Sequence, residues 1–305
     1  MNDLNKLKQQ FEACMLAGAI GDAWGSCFEN MIVPDNKTTF YLYPPKAPEK
    51  KWAFTDDTQL TMATCEALCA GGDFDAALLA NKFVRYYKEK RLTGLGASSL
   101  KAIIELEAGA HWSQVGREGE YAAGNGAAMR IAPLAFFSNI SRQNIRDACR
   151  ITHRNDEAYV GALAIFLSIK SIISGAWWGE NNLFDLIISE LPDTRVRDRL
   201  IEINAIQNSA DIKSIAQLGN NGYVVNSIPF AIFAATQVHK IGLRDMYKAI
   251  IDAGGDTDTN ASLAGQIAGA LYKNIPAELL SKLKAVDNIE WMMEVVKKTR
   301  DCIIV

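Results

Sequence analysis

Gly254-Gly255-Asp256-Thr257-Asp258-Thr259 runs directly into Asn260-Ala261-Ser262-Leu263-Ala264-Gly265-Gln266-Ile267-Ala268-Gly269-Ala270. The second half of this stretch is almost entirely small residues. A helix made of them lets a neighbouring axis come very close, which predicts a central helix with little solvent contact. Residues 15–23 have the same composition near the other end of the chain. Each of these two helices carries or adjoins a polar cluster at its end, so a site built there would sit on packed elements rather than free loops.

Outward from these segments the pattern is helix after helix. Leu4, Leu7, Phe11, Cys14 and Met15 keep the three-and-four spacing of an amphipathic helix. Comparable periodicity predicts helices over 58–70, 75–90, 97–108, 127–137, 143–152, 157–175, 195–208, 225–238, 243–253, 259–273 and 287–299. Gly71-Gly72-Asp73, Gly94-Leu95-Gly96, Gly219-Asn220-Asn221-Gly222 and Pro276 punctuate them. Sustained two-residue alternation is scarce, and 40–43 is the best short-strand candidate. With no internal repeat and no low-complexity linker, the expectation is one compact all-α domain over 1–305.

Composition narrows the function. The chain has 49% hydrophobic and 22% charged residues, as a globular protein does. A net charge of −3 with no concentrated basic patch argues against nucleic-acid binding. The polar start and the lack of an apolar run of about 18–20 residues predict no membrane span and a cytoplasmic location. The six cysteines form no CxxC pair and read as buried thiols, and three histidines without HExxH give zinc no ligand set.

Two acidic clusters carry the chemistry: Thr55-Asp56-Asp57-Thr58 and Asp256-Thr257-Asp258-Thr259. Each lies just ahead of a helix, where Thr or Asp caps free N–H groups. One cap needs one such residue, and each cluster holds four. Brought together, Thr55, Asp56, Asp57, Asp256, Asp258 and Thr259 would form an all-oxygen cage for one or two hard cations. Gly254 and Gly255 would allow a sharp turn into it. Gly124-Asn125-Gly126 is a glycine-flanked turn before a helix, either an ordinary turn or a phosphate cradle. Taken singly, His153 suits a surface or capping position, and Glu29 an exposed loop.

In this order the segments resemble the ADP-ribosylglycohydrolase family, which includes dinitrogenase reductase-activating glycohydrolases and ADP-ribosyl-acceptor hydrolases. The resemblance rests on Gly21-Asp22-Ala23-Trp24-Gly25 followed by Glu29, on Phe54-Thr55-Asp56-Asp57-Thr58-Gln59, and on Gly124-Asn125-Gly126-Ala127-Ala128-Met129-Arg130. Thr152-His153, Gly222-Tyr223-Val224-Val225 and the 254–261 segment complete it. It implies an all-α orthogonal helical bundle and a centre of two Mg²⁺ ions, with Mn²⁺ as the substitute. By position, Thr55, Asp56, Asp57, Asp256, Asp258 and Thr259 would be the metal ligands, with Glu29, Asp57 and Asp256 catalytic. Gly124, Asn125 and Gly126 would contact diphosphate and ribose, His153 the substrate, and Tyr223 the adenine side.

The implied activity is removal of ADP-ribose from modified protein side chains, first of all ADP-ribosylarginine. It would reverse the action of an ADP-ribosyltransferase or toxin. Hydrolysis of O-linked ADP-ribose and an immunity protein acting by contact are the alternatives. The sequence departs from the family at Glu120-Tyr121-Ala122-Ala123, where many relatives have a Ser/Gly-rich loop. It also departs at Lys273 and Cys27, where glycine and proline are common.

Overall fold

The computed structural model describes residues 3–29, 51–70 and 73–304. The strand candidate at 40–43 and the Gly71-Gly72 break lie outside them. The N-terminal helix, Asp3–Gly25, starts amphipathic, with Leu4 and Leu7 partly covered, and is buried on all sides over 13–23. The helix Thr257–Tyr272 is buried from 257 through 270. A helix apolar or small on every face belongs in a core, and these two lie against each other there.

Their approach is set by backbone contact. A Cβ at Gly21 would fall 2.2 Å from the Ala261 carbonyl oxygen, and one at Gly25 would fall 2.4 Å from that of Thr257. From the other helix, a Cβ at Gly265 would meet the Ala17 oxygen at 2.5 Å, and one at Gly269 the Ala13 oxygen at 2.4 Å. Any side chain at these four positions would force the axes apart. Polar groups here are few: Tyr247 Oη donates to Ala17 O at 2.6 Å and Gln266 Nε2 to Met129 O at 2.8 Å, while Gln266 Oε1 and Asn260 Oδ1 are buried without a partner.

Around this pair stand helices Asp56–Leu68, Asp156–Ile173 and Val224–Thr236, and one hydrophobic cluster runs through all of them. The protein is all-α, with almost no strand among the described residues. Cys14, Cys27, Cys65 and Cys149 are buried, Cys69 is half-buried and Cys302 is exposed. No described helix is long and apolar enough to cross a membrane.

Three local features differ from the periodicity. The helix expected at 127–137 is two 3-10 segments, Asn125–Arg130 and Ala132–Phe136. Buried Arg130 folds back over its own turn, donating to Gly126 O and to Ala148 O, and Pro133 contributes no N–H to the next. Trp112–Val115, Leu183–Ile188, Ile212–Ala216 and Ala277–Leu283 are helices too short to show a period. Lys273 closes the Thr257 helix at φ +56, in left-handed backbone that favours the glycine common in the family.

Candidate active site

The two acidic clusters meet at the N-terminal ends of the Asp56 and Thr257 helices. Thr55 caps the first, its hydroxyl accepting from Asp57 N–H at 3.4 Å. Its N–H and hydroxyl in turn donate to the carboxylate of Asp22, the hydroxyl at 2.7 Å. Thr58 adds its own N–H, at 3.1 Å, and its hydroxyl. Asp22 lies inside the N-terminal helix with no solvent exposure, so it ties that helix to the start of the next.

Asp22, Asp57 and Asp258 each bring a carboxylate oxygen to within 4.8 Å of the other two. Asp57 Oδ2 accepts from Thr259 Oγ1 at 3.1 Å and from Thr55 Oγ1 at 3.4 Å. Asp57 Oδ1 is buried without any hydrogen-bond partner. Asp258 Oδ1 accepts from the Thr259 N–H at 2.9 Å. Asp56, also buried, accepts from the backbone of Gly96 and from its own N–H.

Asp256 enters the site through Gly254 and Gly255, whose φ values of +72 and +79 demand glycine. Asn220 clamps this turn. Its side chain donates to Ala253 O and Gly254 O, and its carbonyl accepts from Asp256 N–H and Asn260 Nδ2. Asp256 Oδ2 accepts from Asn125 Nδ2 at 2.7 Å, linking the acids to the glycine turn.

So many carboxylates in low dielectric cannot all ionise without a counter-charge. Burial, then the charges of Asp258, Asp22, Asp56 and Asp256, hold Asp57 well above the usual carboxylate range. Burial followed by Asp22 pushes Asp56 up to about 8. Burial and then a hydrogen bond with Asp256 push Asp258 up to about 9. Asp22 is raised by burial only to about 6, because the Thr58 and Thr55 donors favour its charged form.

The opposite wall is made of backbone and one histidine. Arg117–Glu118 pairs in parallel with His153–Arg154, Arg117 facing His153. Gly124 bridges Tyr223, and Asn125 N–H donates to Gly222 O at 3.2 Å. Glycines let the imidazole lie close against this turn. A Cβ at Gly126 would sit 3.0 Å from its Cε1, and one at Gly124 would sit 3.2 Å from Nε2. His153 is buried, not at the surface or a cap as an isolated histidine would suggest.

Burial, then Arg130 and Arg117, push the His153 pKa down to about 3, so the ring is neutral. Arg130 Nη2 donates to Thr152 Oγ1 at 2.8 Å, which leaves that hydroxyl's hydrogen for His153 Nδ1 at 2.7 Å. This network assigns the proton to Nε2, making it a donor beside the glycine turn.

Between floor and wall lies a cleft of about 520 Å³. Of the residues expected from sequence, Glu29, Asp56, Asp57, Asp256, Asp258, Thr259, Gly124, Asn125, Gly126 and His153 all line it. Glu29 is exposed, close enough to Asp258 for its charge to add to the upward push there. Thr55 lies behind the lining. Tyr223 does too, with its side chain hydrogen-bonded to Arg195 and its backbone to the glycine turn.

The chain matches the ADP-ribosylglycohydrolase family over residues 3–302. It belongs to that family. It is therefore a hydrolase of ADP-ribose glycosidic bonds. Among its relatives, the ADP-ribosylarginine hydrolase Tri1 of Pseudomonas putida is 28% identical, the match covering 92% of this chain and 75% of that one. The ADP-ribosylhydrolase ARH3 of Gallus gallus is 25% identical over 86% of this chain and 85% of its own. An uncharacterized protein of Archaeoglobus fulgidus is 26% identical over 93% and 94%. A solved structure titled an ADP-ribosylglycohydrolase-related protein complex shares the fold, with a TM-score of 0.67, 21% identity, and coverage of 98% of this chain and 100% of that one.

The donor set fits the cations that the family implies. It is all oxygen, from Asp and Thr side chains, as Mg²⁺ and Mn²⁺ prefer. The unpartnered Asp57 Oδ1 is what a missing cation would leave behind. Asp22 was not singled out as a site residue from sequence, yet it stands in the cluster. Thr55 and Thr58 donate to its carboxylate, so it also ties the cage to the N-terminal helix. Its signal was a lone acid inside a run of small residues, where a buried charge needs partners.

Proposed function

We propose that this protein removes ADP-ribose from ADP-ribosylated protein side chains in a divalent-metal-dependent reaction, with arginine as the linkage. The observation that carries the proposal is the buried, unpartnered Asp57 Oδ1 among carboxylates at the floor of the cleft. Thr55, Asp56, Asp57, Asp256, Asp258 and Thr259 would hold two Mg²⁺ or Mn²⁺ ions. When bound, the ions supply concentrated positive charge that orients the distal-ribose hydroxyls and polarises nearby oxygen.

The chain's own groups do the rest. His153 Nε2–H and the Gly124-Asn125-Gly126 backbone hold the substrate against the wall. Asn125 keeps Asp256 turned toward the floor. Cleavage at C1″ passes through an oxocarbenium-like state as the bond to the side-chain nitrogen breaks and a water oxygen adds. Glu29, exposed and near Asp258, would take the proton from that water and deliver it to the departing guanidine. Arginine is preferred because the Tri1 relative is named for that linkage and matches over nearly the whole chain. The partner would be a protein modified by an ADP-ribosyltransferase or toxin.

The test is release of ADP-ribose from arginine-linked and serine-linked substrates, each with Mg²⁺ and with chelator. Mg²⁺-dependent release from the arginine adduct is expected. Release from the serine adduct alone would move the assignment to O-linked ADP-ribose. Release from neither, by a folded protein that binds Mg²⁺, would favour a protein acting by contact.

A further inference from the structure

Five carboxylates line the cleft, but among its described lining residues only one side chain is cationic, that of Arg117. Arg117 is half-buried on its two-residue strand, with its backbone N–H donating to Thr152 O at 3.0 Å. Among the described residues its guanidinium has neither a hydrogen bond nor an ion pair. The neighbouring charges are engaged elsewhere. Glu118 pairs with Arg154 at 2.6 Å, and Lys101 pairs with Glu105 at 2.9 Å. An arginine with free donors in a cleft is a ready partner for an anion, above all for the paired oxygens of a phosphate.

The contact that Arg117 does make is with an aromatic ring. Its Cζ lies 5.8 Å from the centroid of Tyr121, which lines the same cleft. Tyr121 is 83% exposed, more than any other large hydrophobic side chain described here. It sits on the 3-10 turn Glu120–Ala122, which is anchored by fully buried Ala122, so the ring is presented by a fixed backbone. A flat ring open to water beside a guanidinium is a platform for a second flat ring. Ala122 and Ala123 bring no side-chain donors, so a charged group in this loop region has to come from outside 121–123.

We infer that Arg117 and Tyr121 form a clamp for the nucleoside-diphosphate half of the ligand, the guanidinium pairing with the diphosphate and the ring stacking on the base. This inference rests on the proposed hydrolase function and names specificity-determining residues for it. In this reading the acids at the floor hold the distal ribose, and the clamp in the same cleft selects what is attached to it. It also accounts for the sequence departure at 120–123, where a side-chain pair takes over phosphate and base recognition.

Calorimetric titration of the full-length protein with ADP-ribose in Mg²⁺ tests it. Arg117→Ala should weaken binding by about tenfold or more, the usual effect of losing a charged hydrogen-bond donor, with Arg117→Lys recovering part of the loss. Tyr121→Ala should weaken binding by about fivefold to tenfold, and Tyr121→Phe should bind as the wild type does, because stacking needs the ring and not the hydroxyl. In hydrolysis both alanine variants should raise KM and leave kcat within about twofold, since the clamp is assigned to the nucleoside-diphosphate half and not to the bond that breaks. Their thermal midpoints should stay at the wild-type value. Wild-type affinity for ADP-ribose in both alanine variants would overturn the clamp while leaving the hydrolase function standing. Failure of the wild-type protein to bind ADP-ribose at all would overturn the hydrolase function and the clamp together.

Discussion

The floor and the wall of the cleft are built in opposite ways. The floor stands on two long helices in backbone contact, Asp3–Gly25 and Thr257–Tyr272, joined by the capped start of Asp56–Leu68. Every acid there is fixed by a helix end, a threonine or a glycine turn. The wall stands on two-residue strands and 3-10 turns, with side chains leaning on other side chains. A rigid floor suits groups that must hold charges at set distances. A wall of loops suits recognition, because its side chains can change without moving the floor.

Removing one floor carboxylate proposed as a ligand separates the two halves most sharply. Asp57→Asn should lower hydrolysis by about a hundredfold or more, beyond the usual loss for a group that merely supports a metal ligand. The same substitution should raise the stability of the chelator-treated protein, because it removes a buried carboxylate that has no counter-charge. Loss of activity without that gain in apo stability would show that Asp57 is not strained by unbalanced charge.

Two glycines offer a milder comparison. Gly21→Ala places a methyl 2.2 Å from backbone that cannot yield, so it should cost at least about 1–3 kcal/mol by denaturant unfolding. Gly126→Ala meets the His153 ring at 3.0 Å and should cost less stability while weakening ADP-ribose binding. Equal stability losses at both positions would erase the distinction between floor and wall.

The smallest effect is on pH dependence. The folded-state values of Asp22, Asp56 and Asp258 lie above the ordinary carboxylate value, at about 6, 8 and 9. For groups raised in this direction the folded state binds the extra protons. Their stabilisation is complete below the unfolded carboxylate value, near 4, and fades as pH rises through 6 to 9. In chelator, the melting temperature should therefore fall across that window, and Mg²⁺ should flatten the fall. An unchanged slope on adding Mg²⁺ would mean that the ion does not meet these acids.

The same contrast explains what the sequence disclosed. The floor was legible because its signals are local and redundant: four oxygen-bearing residues where a cap needs one, next to helices of small residues. Asp22 escaped as a site residue because one acid in a helix forms no pattern, although its burial makes it the tie between Thr55, Thr58 and the N-terminal helix. The wall was legible only through the family resemblance. Strands as short as Arg117–Glu118 and His153–Arg154 have no periodicity, and nothing local to Arg117 announces that it faces His153. The 127–137 helix became 3-10 turns because six residues cannot distinguish a period of 3.0 from 3.6, while the packing of Arg130 can. Asn220, seen in sequence only as part of a break between helices, proved to be the clamp on the Gly254-Gly255 turn.

In the proposed centre, acids from the two ends of the chain form one cation cage. Anomalous diffraction from crystals grown with Mn²⁺ tests it directly. Two ordered peaks are expected, bounded by Asp56, Asp57, Asp256 and Asp258, one of them within about 2.0–2.6 Å of Asp57 Oδ1, the range of hard-cation bonds to oxygen. A well-ordered protein with these carboxylates in place, saturating Mn²⁺ and no anomalous density among them would contradict it.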